Sequence, residues 1–405
     1  MSTQAAQHAP GIESSDGGVA EPARLPRAAL LVMALVGFLL IATETMPAGL
    51  LPQIAAGMSI SEGLAGQFVT AYALGTVIAA IPAVALTRGM RRKPVFLVAV
   101  LGFLAATGIT ALSGNVALSL GARFAAGAFS GLIWGITAGY ARRITAPEYA
   151  GRALAIASLG TPIGLAVGTP FGSWLGTTLN WRWSFGALTI LTLITVVLAL
   201  ALIPDAPGQA ATSQMSLLRV LRLPGVAVIL AVIVAWMLAH NTVYTYISAY
   251  LRSSDLQLSV DVALVTFGVA ALVGIGITGA VIDRTLRPLV LASIGLFIVA
   301  GVVFVVGQGS LVTVVVAIVL WGLAFGGAAA QLQTAISIAS GANADVANSM
   351  LGVAFNLAIF GAGILGAVVL SIFDGVVLPV VMVALAVAAL AIAVVGRRTA
   401  FPMKP

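Results

Sequence analysis

Ile41-Ala-Thr-Glu44-Thr45-Met-Pro47-Ala-Gly49-Leu-Leu-Pro52-Gln53-Ile54 puts a carboxylate inside a run that otherwise has the composition of a membrane-crossing helix. An acid at the centre of such a helix costs on the order of 2.5–3.5 kcal/mol on insertion scales, so it persists where it faces a cavity or a partner. Glu44 is therefore the first candidate for a functional side chain; the other reading is a buried carboxyl that pins one helix to another. Outward from this stretch the chain stays apolar, with 60% hydrophobic and 8% charged residues and a mean hydropathy of +1.13. A soluble domain averages roughly 25% charged residues, so this is a polytopic membrane protein. The absence of cysteine excludes disulfides, iron–sulfur clusters and thiol catalysis.

Twelve apolar segments of about 20 residues or more follow one another. They run near 28–56, 63–86, 94–113, 115–140, 149–177, 184–203, 225–250, 259–282, 288–307, 311–338, 345–371 and 376–396. An even number leaves both termini on one face. Assigning that face as cytoplasmic places sixteen of the nineteen basic residues inside, two (Arg182 and Arg252) outside and Arg123 within a span. That asymmetry obeys the positive-inside rule, so the net charge of +7 reports topology and not nucleic-acid binding. The expected organisation is a disordered cytoplasmic tail (1–26), a six-helix half (27–203), a cytoplasmic linker (204–224), a second six-helix half (225–396) and a short tail (397–405).

The halves repeat. A constant offset of 196 residues carries Thr87-Arg88-Gly-Met-Arg91 onto Asp283-Arg284-Thr-Leu-Arg287, and Glu44 onto His240. Parallel repeats about an axis along the membrane normal are a transporter architecture with substrate handled at the midplane, so Glu44 and His240 are expected to face one cavity as symmetry mates.

Several motifs then converge. Gly279-Ala-Val-Ile-Asp283-Arg284-Thr-Leu-Arg287 resembles the G-x-x-x-D-R-x-x-R loop that the major facilitator superfamily carries after the second span of each half. In that family the acid and the arginines latch one conformational state. The first-half counterpart keeps Arg88 and Arg91 but has Thr87 in place of the acid, so it reads either as a weakened latch or as plain topology charge. Leu120-Gly-Ala-Arg123-Phe-Ala-Ala-Gly127 resembles the fourth-span motif whose arginine is implicated in proton coupling; the other reading is an Arg that snorkels to the interface. In the fifth span, glycines at 160, 164, 168, 172 and 176 with Pro162 and Pro170 resemble the motif of drug/proton antiporters, which exporters carry. Small residues at that spacing allow close helix packing and the proline bends the helix. Met46-Pro47, His240-Asn241-Thr242-Val-Tyr244-Thr-Tyr246, Trp181-Arg-Trp183, Trp321-Gly322 and Asn356 add a likeness to the arabinose-efflux-permease-like and sugar-efflux-like branch.

The resemblance implies an all-α membrane protein of twelve transmembrane helices in two pseudo-symmetric six-helix bundles, the major facilitator fold. It also implies a bacterial cell-membrane exporter that works as a monomer among membrane lipid and exchanges protons for a small-molecule substrate. Glu44, Arg123 and His240 are the expected proton-coupling set. A desolvated carboxyl exchanges its proton nearer neutrality than a solvated one, and histidine titrates in the same window, unless it is a neutral group bonded across helices. Substrate contacts are expected from Thr43, Thr45, Trp134, Asn241, Thr242, Tyr244, Tyr246, Gln331, Gln333 and Asn356, with Gly164, Gly168, Pro170 and Gly172 as the packing motif and Arg88, Arg91, Asp283, Arg284 and Arg287 as the latch. No cofactor or metal is expected. Lys93 and Lys404 lie in no phosphate-binding loop, so an ion gradient must supply the energy. The alternative function is a proton-coupled importer of a sugar or nucleoside on the same fold; an intramembrane enzyme would need a nucleophile with a base, or paired carboxylates, within reach.

Overall fold

A computed structural model describes residues 25–208, 216–396 and 399–401, apart from the side chains of residues 283, 342 and 345. The N-terminal tail, the middle of the linker and most of the C-terminal tail lie outside the described residues. Among the described residues there is no strand, and twelve helices are long and apolar enough to cross a membrane. They are Arg27–Gly49, Glu62–Leu86, Arg92–Leu112, Val116–Arg143, Pro147–Thr178, Trp181–Leu202, Val226–Thr245, Val260–Ile282, Arg284–Val306, Leu311–Ser340, Val346–Ile372 and Gly375–Val395, spans one to twelve.

The expected first and seventh spans break. The first stops at Leu50 (φ −118°, ψ 9°) and resumes as a short helix, Leu51–Met58; the seventh stops at Tyr246 (φ −113°, ψ 26°) and resumes as Ile247–Ser253. Pro47 and Pro52 bracket the first break, yet the second lacks prolines there and falls 196 residues later. Proline therefore assists a bend that the repeat itself requires. The register holds along each half: the second and eighth spans end at Leu86 and Ile282, again 196 residues apart. The two loops of the repeated basic motif differ. Thr87–Arg91 opens into a turn, whereas the expected loop at 283–287 stays helical apart from Thr285 (φ −133°, ψ 30°). Gly89 in the first copy, which disfavours a helix, is Thr285 in the second.

The fifth span packs its glycines onto the first. A methyl group on Gly168 would stand 2.8 Å from the Ala42 Cβ, and one on Gly172 would stand 2.6 Å from the Met46 Cγ. Gly160, Gly164 and Gly176 meet Ala34, Ile41 and Leu50, so rows spaced by about four residues on both helices interlock at backbone distance. Pro170 cannot donate to a carbonyl four residues back. The helix absorbs this by widening into a π-turn over Gly164–Gly168, where the Thr169 N–H reaches the Gly164 carbonyl five residues behind. This seam fixes the rotation of the first span, and Glu44 points away from it.

The halves meet most visibly at the face opposite the basic loops. There Arg252 pairs with Glu62 at 2.5 Å, Gln67 donates to the Gly363 carbonyl at 3.3 Å, and Tyr246 packs against Gly66 while donating to Gly363 at 2.7 Å.

Replacing Gly168 with Leu should force the two helices apart at a cost of about 1–3 kcal/mol, as overpacking does. Thermal unfolding in detergent should show a lower midpoint for Gly168→Leu, while Gly139→Leu, with open space around its Cα, should leave the midpoint unchanged. Equal midpoints for both variants would mean that the seam carries no stability.

Candidate functional site

The first, second, fourth and sixth spans converge on Arg123. Its side chain is wholly buried, so a guanidinium that stays charged at all accessible pH is held away from water. Its Nε donates to the Phe68 carbonyl at 2.8 Å, its plane lies 4.7 Å from the centre of the Tyr72 ring and 5.6 Å from that of Phe185, and Nη1 and Nη2 have no hydrogen-bond partner. Aromatic faces favour a cation but satisfy none of its N–H groups. Glu44, 5% exposed, lies close enough for the two charges to act on each other without forming an ion pair. Tyr72 braces the group from the other side, its hydroxyl donating at 3.2 Å to the carbonyl of Leu40, one turn before Glu44.

The symmetry mate of Glu44 has a different setting. His240 is 6% exposed and lies parallel to Phe325 at 3.6 Å, beside Tyr244, Phe267 and Trp321. The Trp321 indole N–H donates to its Nδ1 at 3.0 Å. An indole nitrogen only donates, so Nδ1 accepts, and His240 is the neutral tautomer with its proton on Nε2. This is a histidine hydrogen-bonded across spans seven and ten, and neither a hydrogen bond nor an ion pair joins it to Glu44. The first half thus holds charge at this level and the second holds an aromatic box.

The expected substrate contacts divide. Thr45 shares a 2.5 Å hydroxyl contact with Thr169 of the fifth span, and Tyr244 stacks on His240 beside Phe267 and Trp321 in the second half. Thr43 is buried with its hydroxyl unpartnered, and Trp134 is half-buried beside Gly37. Asn241 and Thr242 bond back to their own helix at Met237 and Leu238, and Asn356 to Gly352, its Oδ1 remaining unpartnered. Tyr246 turns to the eleventh span, and Gln331 donates to Thr278 (3.2 Å) and Ser293 (3.0 Å) of the eighth and ninth spans, both in packing roles. Gln333 is exposed. An open apolar groove of about 590 Å³ lies on the second half, walled by Leu217 of the linker, Ala235 and Leu238 of the seventh span, Leu357 of the eleventh and Leu385 of the twelfth, with Ile81 of the second span at its edge; none of the expected polar contacts lines it. Tyr72, Phe325 and Thr169 are the site residues that polarity alone did not single out. A tyrosine hydroxyl in mid-span, and a Trp321–Phe325 pair one turn apart, are the signals that mark them in retrospect.

At the basic face the first-half motif finds its acid elsewhere. Thr87, where the acid would stand, closes its own helix by donating to the Ala83 carbonyl at 2.7 Å. Arg91 instead pairs with Asp205 of the linker at 2.5 Å; the Asp205 carboxylate also accepts from the N–H of Lys93 (3.0 Å) and of Ala206 (2.8 Å). Arg143 donates to the Pro207 and Gly208 carbonyls, and Tyr140 to that of Pro204, so the start of the linker is strapped to the first half. The Lys93 backbone N–H, with that of Ala206 and the Arg91 charge, holds the Asp205 carboxyl below the usual carboxylate range. Arg88 offers its carbonyl to Arg92 at 2.7 Å. In the second half Arg284 is exposed and Arg287 half-buried, while the Asp283 side chain lies outside the described residues.

The model of the Major Facilitator Superfamily matches residues 33–367, and the chain belongs to that family. Its structure is similar to the crystal structure of a bacterial homolog of the human lysosomal transporter Spinster in an inward-facing, unoccupied conformation. The TM-score is 0.67 over 95% of this chain and 99% of that one, at 15% identity, so the likeness is one of fold. The chain is accordingly a secondary transporter for a small molecule, working by alternating access, and not an enzyme.

The Asp205 strap carries its own pH dependence. A carboxyl held low in the fold stabilises it above the ordinary carboxylate pKa and loses that contribution as pH falls through the lowered value. Hydrogen exchange should show the Lys93 and Ala206 amides several-fold less protected in Asp205→Asn than in wild type at pH 7, the difference closing only below about pH 4. Equal protection at pH 7 would mean that the strap is not held by this carboxylate.

Proposed function

We propose that this member of the major facilitator superfamily is a proton-coupled exporter of a small amphipathic molecule, in a bacterial cell membrane with both termini in the cytoplasm. The observation that carries the reading is the wholly buried Arg123 charge acting on a nearly buried Glu44. With Glu44 ionised the pair is neutral; when Glu44 takes a proton, one positive charge is left in a dry site. That cost favours the conformation in which the site meets water, so proton load and conformation become one equilibrium. Protonation from one side and release to the other then drive the cycle. One charge crossing 100 mV supplies about 2.3 kcal/mol, roughly a fifty-fold gradient.

The box of Tyr244, Phe267 and Phe325 around His240 suits a flat or apolar moiety and supports an amphipathic substrate. In this reading Glu44 carries the proton, Arg123 holds the fixed charge, and neutral His240 belongs to substrate contact. The glycine-rich fifth span supports export.

Purified protein in proteoliposomes, screened with antibiotics, sugars and nucleosides against an internal pH indicator, tests this. A substrate should move protons opposite to itself in wild type, and Glu44→Gln should lower that movement at least tenfold while still binding the compound. Normal coupling in Glu44→Gln would remove Glu44 as the carrier; solute and protons moving together would make the protein an importer.

A further inference from the structure

A groove of about 630 Å³ runs down the outer surface of the first half between spans three and six, away from the cluster around Arg123. Gly108 hollows it out: a methyl there would meet only the Thr189 Cγ2 at 3.4 Å. Its walls are dry. Thr189 spends its hydroxyl on the Phe185 carbonyl (2.8 Å), and Leu112, Ile190 and Leu193 are 87%, 56% and 53% exposed. In a helix that crosses a bilayer, exposure on this scale means contact with lipid chains.

Arg182 stands at the groove's upper end. Its Nη2 donates to the carbonyl of Ser113, a groove residue, at 3.0 Å, and its plane lies 4.3 Å from the centre of the Trp181 ring. It pairs with no described carboxylate, unlike Arg252, which holds Glu62 at 2.5 Å on the same face. Trp183 is 59% exposed beside it, as in the aromatic belt that marks headgroup depth. From Arg182, residues 186, 189, 190 and 193 follow on one face of the sixth span. At 1.5 Å per residue that stripe descends about 16 Å, half of a hydrocarbon core about 30 Å thick.

A cation without an acid at headgroup level, above an apolar channel one leaflet deep, matches one ligand chemistry. We propose that this groove seats an acyl chain of an anionic glycerophospholipid whose phosphate rests on Arg182, on the leaflet opposite the basic loops. A soluble anion would use Arg182 and leave the channel idle; a zwitterionic lipid would fill the channel but oppose Arg182 with its own ammonium.

Native mass spectrometry of the full chain in non-ionic detergent, titrated with dioleoylphosphatidylglycerol or dioleoylphosphatidylcholine, tests this. Wild type should retain one phosphatidylglycerol in preference to phosphatidylcholine by about fivefold, the effect of one interfacial cation. Arg182→Gln should abolish the preference and Arg182→Lys should keep most of it. Gly108→Phe, and Leu193→Trp at an exposed position with no folding burden, should weaken retention of both lipids. An unchanged preference in Arg182→Gln would overturn the proposal, as would complete displacement of the lipid by soluble glycerophosphate.

Discussion

Arg123 keeps its charge at every accessible pH, and the fold shuts it away from water with one N–H on a backbone carbonyl and two terminal nitrogens unpartnered. Burying such a group costs several kcal/mol unless something compensates, and what stands near it is two aromatic faces and one carboxylate short of contact. The compensation is incomplete by construction. A fully satisfied ion pair would be inert scaffolding; a buried charge that acts on Glu44 from beyond ion-pair distance makes the energy of the first half depend on whether Glu44 holds a proton. The interlocked seam between spans one and five, with its π-turn before Pro170, keeps Glu44 on the Arg123 side of the first span.

The second half repeats the geometry without the charge. Its first span bends at the equivalent position, Tyr246 for Leu50, and carries a side chain at the level of Glu44, but that side chain is a neutral histidine in an aromatic box tied to Trp321. Two pseudo-symmetric halves therefore differ physically: one buries a charge near a carboxylate, the other offers apolar and aromatic surface. Thr45, the residue after Glu44, bonds to Thr169 within the first half. Closure at Glu62 and Arg252 and strapping of the linker at Asp205 lie at opposite ends of the same molecule.

Much of this was legible from the chain alone, because charge in hydrocarbon is rare. Glu44 and Arg123 stand out as the acid and the arginine within spans, and the 196-residue offset pairs Glu44 with His240; the bend at Tyr246 is hidden, because the composition around 225–250 reads as one continuous span. What stayed hidden is direction. A polar side chain in a span looks the same whether it faces a solute or a neighbouring helix, so Tyr246 and Gln331 read as substrate contacts while the fold spends them on Gly363 and on Thr278 and Ser293. The acid missing from the first-half motif is likewise invisible locally, since Asp205 comes from 112 residues beyond Lys93. The stretch 283–287 reads as a loop because it resembles a loop motif between two apolar segments, yet the chain leaves the helix there only at Thr285.

The central claim is that Arg123 acts through Glu44. A double-mutant cycle on substrate-driven proton flux, with Glu44→Gln, Arg123→Gln and the double variant in identical liposomes, addresses it directly. If the two side chains form one coupling unit, the double variant loses no more flux than Glu44→Gln alone. Losses that multiply would show that Arg123 contributes independently, and that the buried charge is a structural feature of the first half rather than the partner of its proton carrier.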